Sequence, residues 1–155
     1  APPRPPRNPS HGSTGRSAKA RGLQRLARTL RVTDRVSFLG QLPFRALVQE
    51  YASCDVFCLP SLQEGFGMVF AEAMTAGKPI AACAAGATPE VVVHGRNGYL
   101  ASPGDGLALS EALAALLGDP ALRRRMGENG RKDAPQRFGL ERAAERFLEA
   151  VRPLL

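Results

Sequence analysis

From residue 22 the apolar positions fall at helical spacing: Leu23, Leu26, Ala27 and Leu30 lie three and four apart, and the stripe predicts a helix ending near Arg31. Residues 35–39 then alternate and carry β-forming side chains up to Gly40, which predicts a strand. Pro43 is placed to open a second helix through Leu47 and Tyr51. After Asp55 the run to Pro60 is continuously apolar, as in a parallel strand covered on both faces. A Gly-rich turn follows, then a helix over 68–76 stopped by Gly77 and a strand over 78–83, with Pro79 near its start where a missing N–H is tolerated. Thr88 and Pro89 read as the cap and first residue of a short helix through Val93, closed by Gly95 or Gly98, before a strand at 99–101. Strands alternating with helices imply right-handed crossovers and a parallel sheet, hence an α/β fold.

The last third has no strand signal and forms a helical C-terminal segment. Leu109, Ala112, Leu113, Leu116 and Leu117 make one stripe, stopped by Gly118. Pro120 starts a second helix with Leu122 and Met126. A third carries Leu140, Ala143, Ala144, Phe147, Leu148 and Val151 opposite Glu141, Arg142, Glu145 and Arg146.

Composition sharpens this at one end. The 155 residues are 44% hydrophobic, enough for one domain with a core. No run approaches the roughly 18 apolar residues of a membrane span and no secretory leader pattern is present, so a cytoplasmic location is the expectation. Cys54, Cys58 and Cys83 are too few for a disulfide framework and read as buried small hydrophobes. The net charge of +7 is unevenly placed: residues 1–31 hold eight Lys or Arg and no acid, leaving 13 bases against 14 acids in the remainder. Residues 1–20, with five prolines, cannot bury enough apolar surface to order themselves and are expected to be a basic, flexible tail preceding a domain over 21–155. Clustered cations attract anionic partners, leaving peripheral membrane association open, but the tail lacks aromatics to stack on bases and no specific nucleic acid binding is expected.

The candidate chemistry lies after the strand at 55–60. Glu64-Gly65-Phe66-Gly67 leads directly into a helix carrying Glu72, and loops at the carboxyl ends of parallel strands are where ligands bind. Glycines let the backbone approach a ligand, and the first N–H groups of the following helix are unsatisfied and partly positive, which suits phosphate. A diphosphate-bearing ligand follows, with Glu64 and Glu72 as acceptors for sugar or ribose hydroxyls. Glu72 sits among Phe70, Ala71, Ala73 and Met74, so it is expected to be largely buried and therefore partnered.

The stretch Tyr51-Ala-Ser-Cys-Asp55-Val-Phe-Cys-Leu-Pro-Ser61-Leu-Gln-Glu64-Gly-Phe-Gly-Met-Val-Phe-Ala-Glu72, continuing to Gly77 and Pro79, resembles the E-x7-E signature of the retaining GT-B glycosyltransferases of family 4. The likeness continues through Gly86-Ala-Thr-Pro-Glu90, Gly98-Tyr-Leu, Leu116-Leu-Gly-Asp-Pro120, Met126-Gly, Asn129-Gly-Arg131 and Arg137-Phe138, and covers the chain from about Leu23 to the end. It implies a Rossmann-like parallel sheet with flanking helices, the C-terminal, donor-binding half of a GT-B enzyme using a nucleotide-activated sugar and no metal or other cofactor. By this resemblance Glu72 would hold the ribose hydroxyls, and Glu64, the candidate catalytic residue, a hydroxyl of the donor sugar. The backbone at Gly65, Phe66, Gly67, Met68 and Val69 would face sugar and diphosphate, and Gly40, Gln41 and Leu42 would edge the base. Two departures stand out. Ala87 follows Gly86 where the family has a second glycine, and the family's basic pair for the diphosphate and its acceptor domain lie before the matched stretch. A truncated form inactive alone is the expectation, with an N-terminal half on another chain as one arrangement. A stand-alone nucleotide-sugar-binding or regulatory module and a GT-B nucleotide-sugar epimerase are the alternatives. The acceptor, whether sugar, lipid or other, stays open.

Other polar positions carry less. Glu90 falls in the first turn of its helix, where an acid complements the dipole. His11 and His94 have no metal-ligand spacing, Asp55 is given no catalytic role, and Arg123-Arg124-Arg125 reads as a solvated helix face.

Overall fold

The computed structural model describes residues 18–65 and 67–139 and the single positions 142 and 152. The chain divides into two compact units, Ala1–Leu47 and Val48–Leu155. In the first, α1 (Ala18–Thr29) realises the predicted helix. It takes in the last three residues assigned to the tail, whose positions 1–17 lie outside the described residues. Of its apolar stripe Ala27 is buried, while Leu23, Leu26 and Leu30 remain 51–60% exposed. The predicted strand over 35–39 does not form. A 3-10 turn occupies Thr33–Arg35, and Val36 is extended at φ −120°, ψ 121° without joining the sheet. Alternation gives an extended backbone, but a strand also needs a hydrogen-bonded neighbour, and among the described residues none pairs with this segment. Helix α2 (Phe44–Ser53) starts after Pro43, as its position predicts.

The second unit is α/β. Strands β1 (Phe57–Leu59), β2 (Ile80–Cys83) and β3 (Gly98–Ala101) lie parallel in the order β1-β2-β3, joined through α3 (Met68–Thr75) and the short α4 (Thr88–Val91). Every residue of β2 is buried, as its central place requires. Its side chains alternate: Ile80 and Ala82 pack with Phe70, Ala73, Met74 and Val91, while Ala81 packs with Leu116 and Met126. Helices thus cover both faces at β2. β1 is an edge strand of the described sheet; Phe57 and Leu59 pack against one core cluster and Val56 against the other, but Cys58 is exposed, so the burial expected of that cysteine does not hold, while Cys83, on β2, is buried.

Local signals account for the helix ends. Gly77 N–H reaches the Met74 carbonyl at 2.8 Å and Lys78 N–H the Ala73 carbonyl at 2.9 Å, a Schellman stop after α3. For α5 (Gly106–Gly118) the Asp105 carboxylate accepts from Ala108 N–H at 2.9 Å. For α6 (Pro120–Phe138) Asp119 accepts from Ala121 and Leu122 N–H at 2.9 and 3.0 Å. In α4 the cap is Ala87; Thr88 is the first helical residue, its buried Oγ1 unpartnered among the described residues, and the helix ends at Val91. The third C-terminal helix, over 140–151, lies outside the described residues apart from position 142.

Candidate functional site

Because the sheet is parallel, the loops after β1 and β2 leave from one edge, and they meet there. Ala87 N–H, in the turn after β2, donates to the Glu64 carbonyl at 3.1 Å. Gly86 makes this approach feasible. It adopts φ +54°, and a Cβ there would lie 2.6 Å from the Glu64 carbonyl oxygen. Ala87 itself takes an ordinary right-handed conformation, φ −78°, ψ 0°, so the departure from a second glycine costs the backbone nothing.

Gly67 turns the chain from this loop into α3. Its φ of +73° is left-handed, and an added Cβ would lie 2.9 Å from Phe70 Cδ2. Phe70 N–H closes back on the Gly67 carbonyl at 2.9 Å, and no side chain caps the helix. The N–H groups of Met68 and Val69 therefore belong to a first turn that is short of acceptors, at the positive end of the helix dipole. Met68 is exposed, Val69 and Glu64 are half-buried, and Gly65 is exposed; Phe66 lies outside the described residues.

Glu72 is exposed, contrary to the burial expected of it. The apolar neighbours in sequence are not its neighbours in space. At 3.6 residues per turn Met68, Glu72 and Thr75 share one face of α3, which is solvent-exposed, while Phe70, Ala71, Ala73 and Met74 face the core. It is partnered all the same: Tyr51 Oη donates to Glu72 Oε2 at 2.9 Å. Burial and the Glu72 carboxylate both push the Tyr51 hydroxyl above its ordinary pKa. Nothing in the sequence assigns chemistry to Tyr51, and the 20 residues between it and Glu72 contain no signal of the pairing.

Gly40 and Leu42 lie in the first unit, in the loop before α2. Gly40 has φ +67°, and Leu42 is half-buried. Elsewhere the structure gives jobs to residues read as bland. Arg123, expected on a solvated face with Arg124 and Arg125, instead has Nη1 2.8 Å from both the Leu116 and Leu117 carbonyls and closes the end of α5, its Nη2 standing 3.8 Å from Asp55. Arg137 Nη1 donates to the Val91 carbonyl at 3.1 Å and Nη2 to that of Glu90, bracing α4 and so the turn that holds Glu64. Asn97, in the turn before β3, is fully buried. It accepts from Val93 N–H at 2.9 Å, while His94 Nδ1 accepts from Leu100 N–H at 3.1 Å. Among the described residues no three His, Cys, Asp or Glu side chains converge as a metal site, and no helix is long and apolar enough to cross a membrane.

A family model described as glycosyl transferases group 1 matches residues 14–133. The D-inositol 3-phosphate glycosyltransferase of Streptomyces avermitilis is 37% identical over 127 residues, covering 82% of this chain and 27% of that protein. Among solved structures, sucrose-phosphate synthase from Thermosynechococcus elongatus superposes with a TM-score of 0.80 at 34% identity, over 94% of this chain and 37% of its own. HepE of Anabaena, solved in complex with UDP-glucose, gives 0.74 at 32% identity, over 86% of this chain and 36% of its own.

Proposed function

Since the chain belongs to the glycosyl transferases group 1 family, we propose that it carries the nucleotide-sugar donor site of a retaining, family 4 GT-B glycosyltransferase. It spans 27% of the first matched curated relative, so the activity of the whole protein, transfer of a sugar from a nucleoside diphosphate to an acceptor, is part of the proposal. The observation that carries it is the meeting of the Glu64 loop, the Gly86–Ala87 turn and the uncapped start of α3 at one edge of a parallel sheet. In this reading the loop backbone at Gly65, Gly67, Met68 and Val69 faces sugar and diphosphate. Glu64, the candidate catalytic residue, accepts from a donor-sugar hydroxyl, and Glu72 accepts from the ribose. Charge developing on the departing diphosphate meets the positive end of α3, worth about half a unit charge, with little covalent work asked of the protein. No metal is assigned a part. UDP is the first nucleotide to try, because HepE holds UDP-glucose.

The test is calorimetric titration with UDP and UDP-glucose, supported by thermal shift, in which a ligand at a hundredfold excess over Kd stabilises by about 2.7 kcal/mol. Glu72→Gln keeps the shape and replaces a charged acceptor with a neutral amide, so UDP affinity should fall by ~1–3 kcal/mol. A folded variant that binds UDP as tightly as the parent would refute the ribose assignment.

A further inference from the structure

Glu72 stands on the exposed face of α3, where a carboxylate on a long side chain loses appreciable rotamer entropy each time it must adopt one geometry for a ligand. Its Oε2, however, already accepts the Tyr51 hydroxyl at 2.9 Å. Tyr51 is itself anchored. Its ring centroid lies 5.5 Å from that of Phe57, which meets the core residue Phe70 edge-on at 6.0 Å. The next residue's carbonyl, that of Ala52, accepts Lys78 Nζ at 2.9 Å, tying the end of α2 to the start of the second strand's segment. The hydroxyl is thus carried by the aromatic core and by a second tether, and it reaches out to the one carboxylate on the exposed face of α3.

We propose that Tyr51 is a positioning residue, which orients the Glu72 carboxylate to accept the vicinal hydroxyls of the donor's ribose. An ionised carboxylate offers about four lone-pair sites, so the hydroxyl takes one and leaves enough for two ribose donors. A group held in its binding geometry before the ligand arrives pays less ordering entropy on binding. Burial and the neighbouring carboxylate keep the Tyr51 hydroxyl protonated through the physiological range, so it remains a donor there. A role confined to tying α2 to α3 fits less well: the bond is at the solvent-exposed face, where water replaces a lost partner and little stability depends on it.

This inference rests on the ribose reading of Glu72, and the experiment separates the two. The 155-residue chain is titrated with UDP, GDP and ADP, and the nucleotide it binds best is compared with its 2′,3′-dideoxy analogue. Tyr51→Phe keeps the ring and its packing and removes the hydroxyl; its affinity for the ribonucleotide should fall about five- to tenfold. Affinity for the dideoxy analogue and the melting temperature should not move, and in a Glu72→Gln background the same substitution should cause no further loss. Tyr51→Leu, which also lacks the hydroxyl, should show the same ribose-specific loss. Ribonucleotide binding by Tyr51→Phe equal to the parent's, or an equal loss for both nucleotides, overturns the positioning role and leaves the ribose reading standing. A Glu72→Gln variant with undiminished affinity, or a parent that binds none of the three nucleotides, overturns both.

Discussion

Gly86 shows how much one hydrogen atom in place of a side chain decides at this site. The turn after β2 comes so close to the Glu64 backbone that a Cβ at Gly86 would lie 2.6 Å from its carbonyl oxygen and 3.0 Å from its nitrogen. Gly86→Ala therefore has to move backbone on one side or the other and also hold φ at +54°, a combination expected to destabilise by ~1–3 kcal/mol in urea unfolding. Under the donor-site reading it displaces Glu64 more than Glu72, so affinity for UDP-glucose should drop further than affinity for UDP. Equal loss for both ligands would mean that Glu64 does not face the sugar. At this scale the sequence was a partial guide. The glycines and the two acids are legible because loop-to-helix chemistry is local, whereas the exposure of Glu72 and its bond to Tyr51 depend on which face of α3 is turned to the core.

Among the elements, α6 explains a set of residues that the family resemblance picked out without giving them work. Its first turn is capped by Asp119. Further along, Asn129 Nδ2 donates to the Arg96 carbonyl at 3.0 Å, Arg131 Nη2 to the Ala76 carbonyl at 3.3 Å at the end of α3, and Arg137 to the carbonyls that end α4. Helix ends leave carbonyls without partners, and α6 supplies side-chain donors to several of them. Gly127 allows the approach: a Cβ there would lie 2.1 Å from the Gly77 carbonyl oxygen, a contact with backbone that no rotamer change relieves. Gly127→Ala should lower unfolding stability by about 1–3 kcal/mol or more while leaving helical content unchanged, since alanine favours a helix. A variant as stable as the parent by denaturant titration would show that α6 does not press on the Gly77 turn.

For the second unit as a whole, one charged tie among the described residues joins positions 37 apart in sequence. Arg96, in the turn before β3, makes a two-pronged pair with Asp133 of α6, Nε to Oδ2 at 2.8 Å and Nη2 to Oδ1 at 2.7 Å, with Asp133 buried. The Arg96 hydrogen bonds hold the Asp133 carboxyl below its usual range, outweighing the burial that pushes it up. A carboxyl whose pKa is depressed in the folded state adds stability that is present above its unfolded value and is lost as pH falls through the folded one. Asp133→Asn should therefore melt lower than the parent at pH 7, and the gap should close as the pH drops below about 4, the ordinary aspartate range. A gap that is constant from pH 7 to pH 3 would assign the loss to packing and not to charge.

Length, periodicity and punctuation in the sequence were enough for the order of helices and strands from α2 to α6, the parallel sense of the sheet and the glycine-acid loop, because each rests on spacing within a few residues. Pro43, Gly77, Gly118 and Pro120 mark boundaries that the backbone obeys on its own account. Tertiary structure decided what depends on a partner far along the chain. Residues 35–39 have the alternation of a strand yet find no neighbour to pair with, and β1, though continuously apolar, lies at an edge with Cys58 exposed. Tyr51 reaches Glu72, Arg96 reaches Asp133 and Arg123 reaches the end of α5 only after the helices have packed. Propensity acts within a turn or two of chain, whereas burial, pairing and side-chain hydrogen bonds between elements are set by which surfaces the fold brings within a few ångströms.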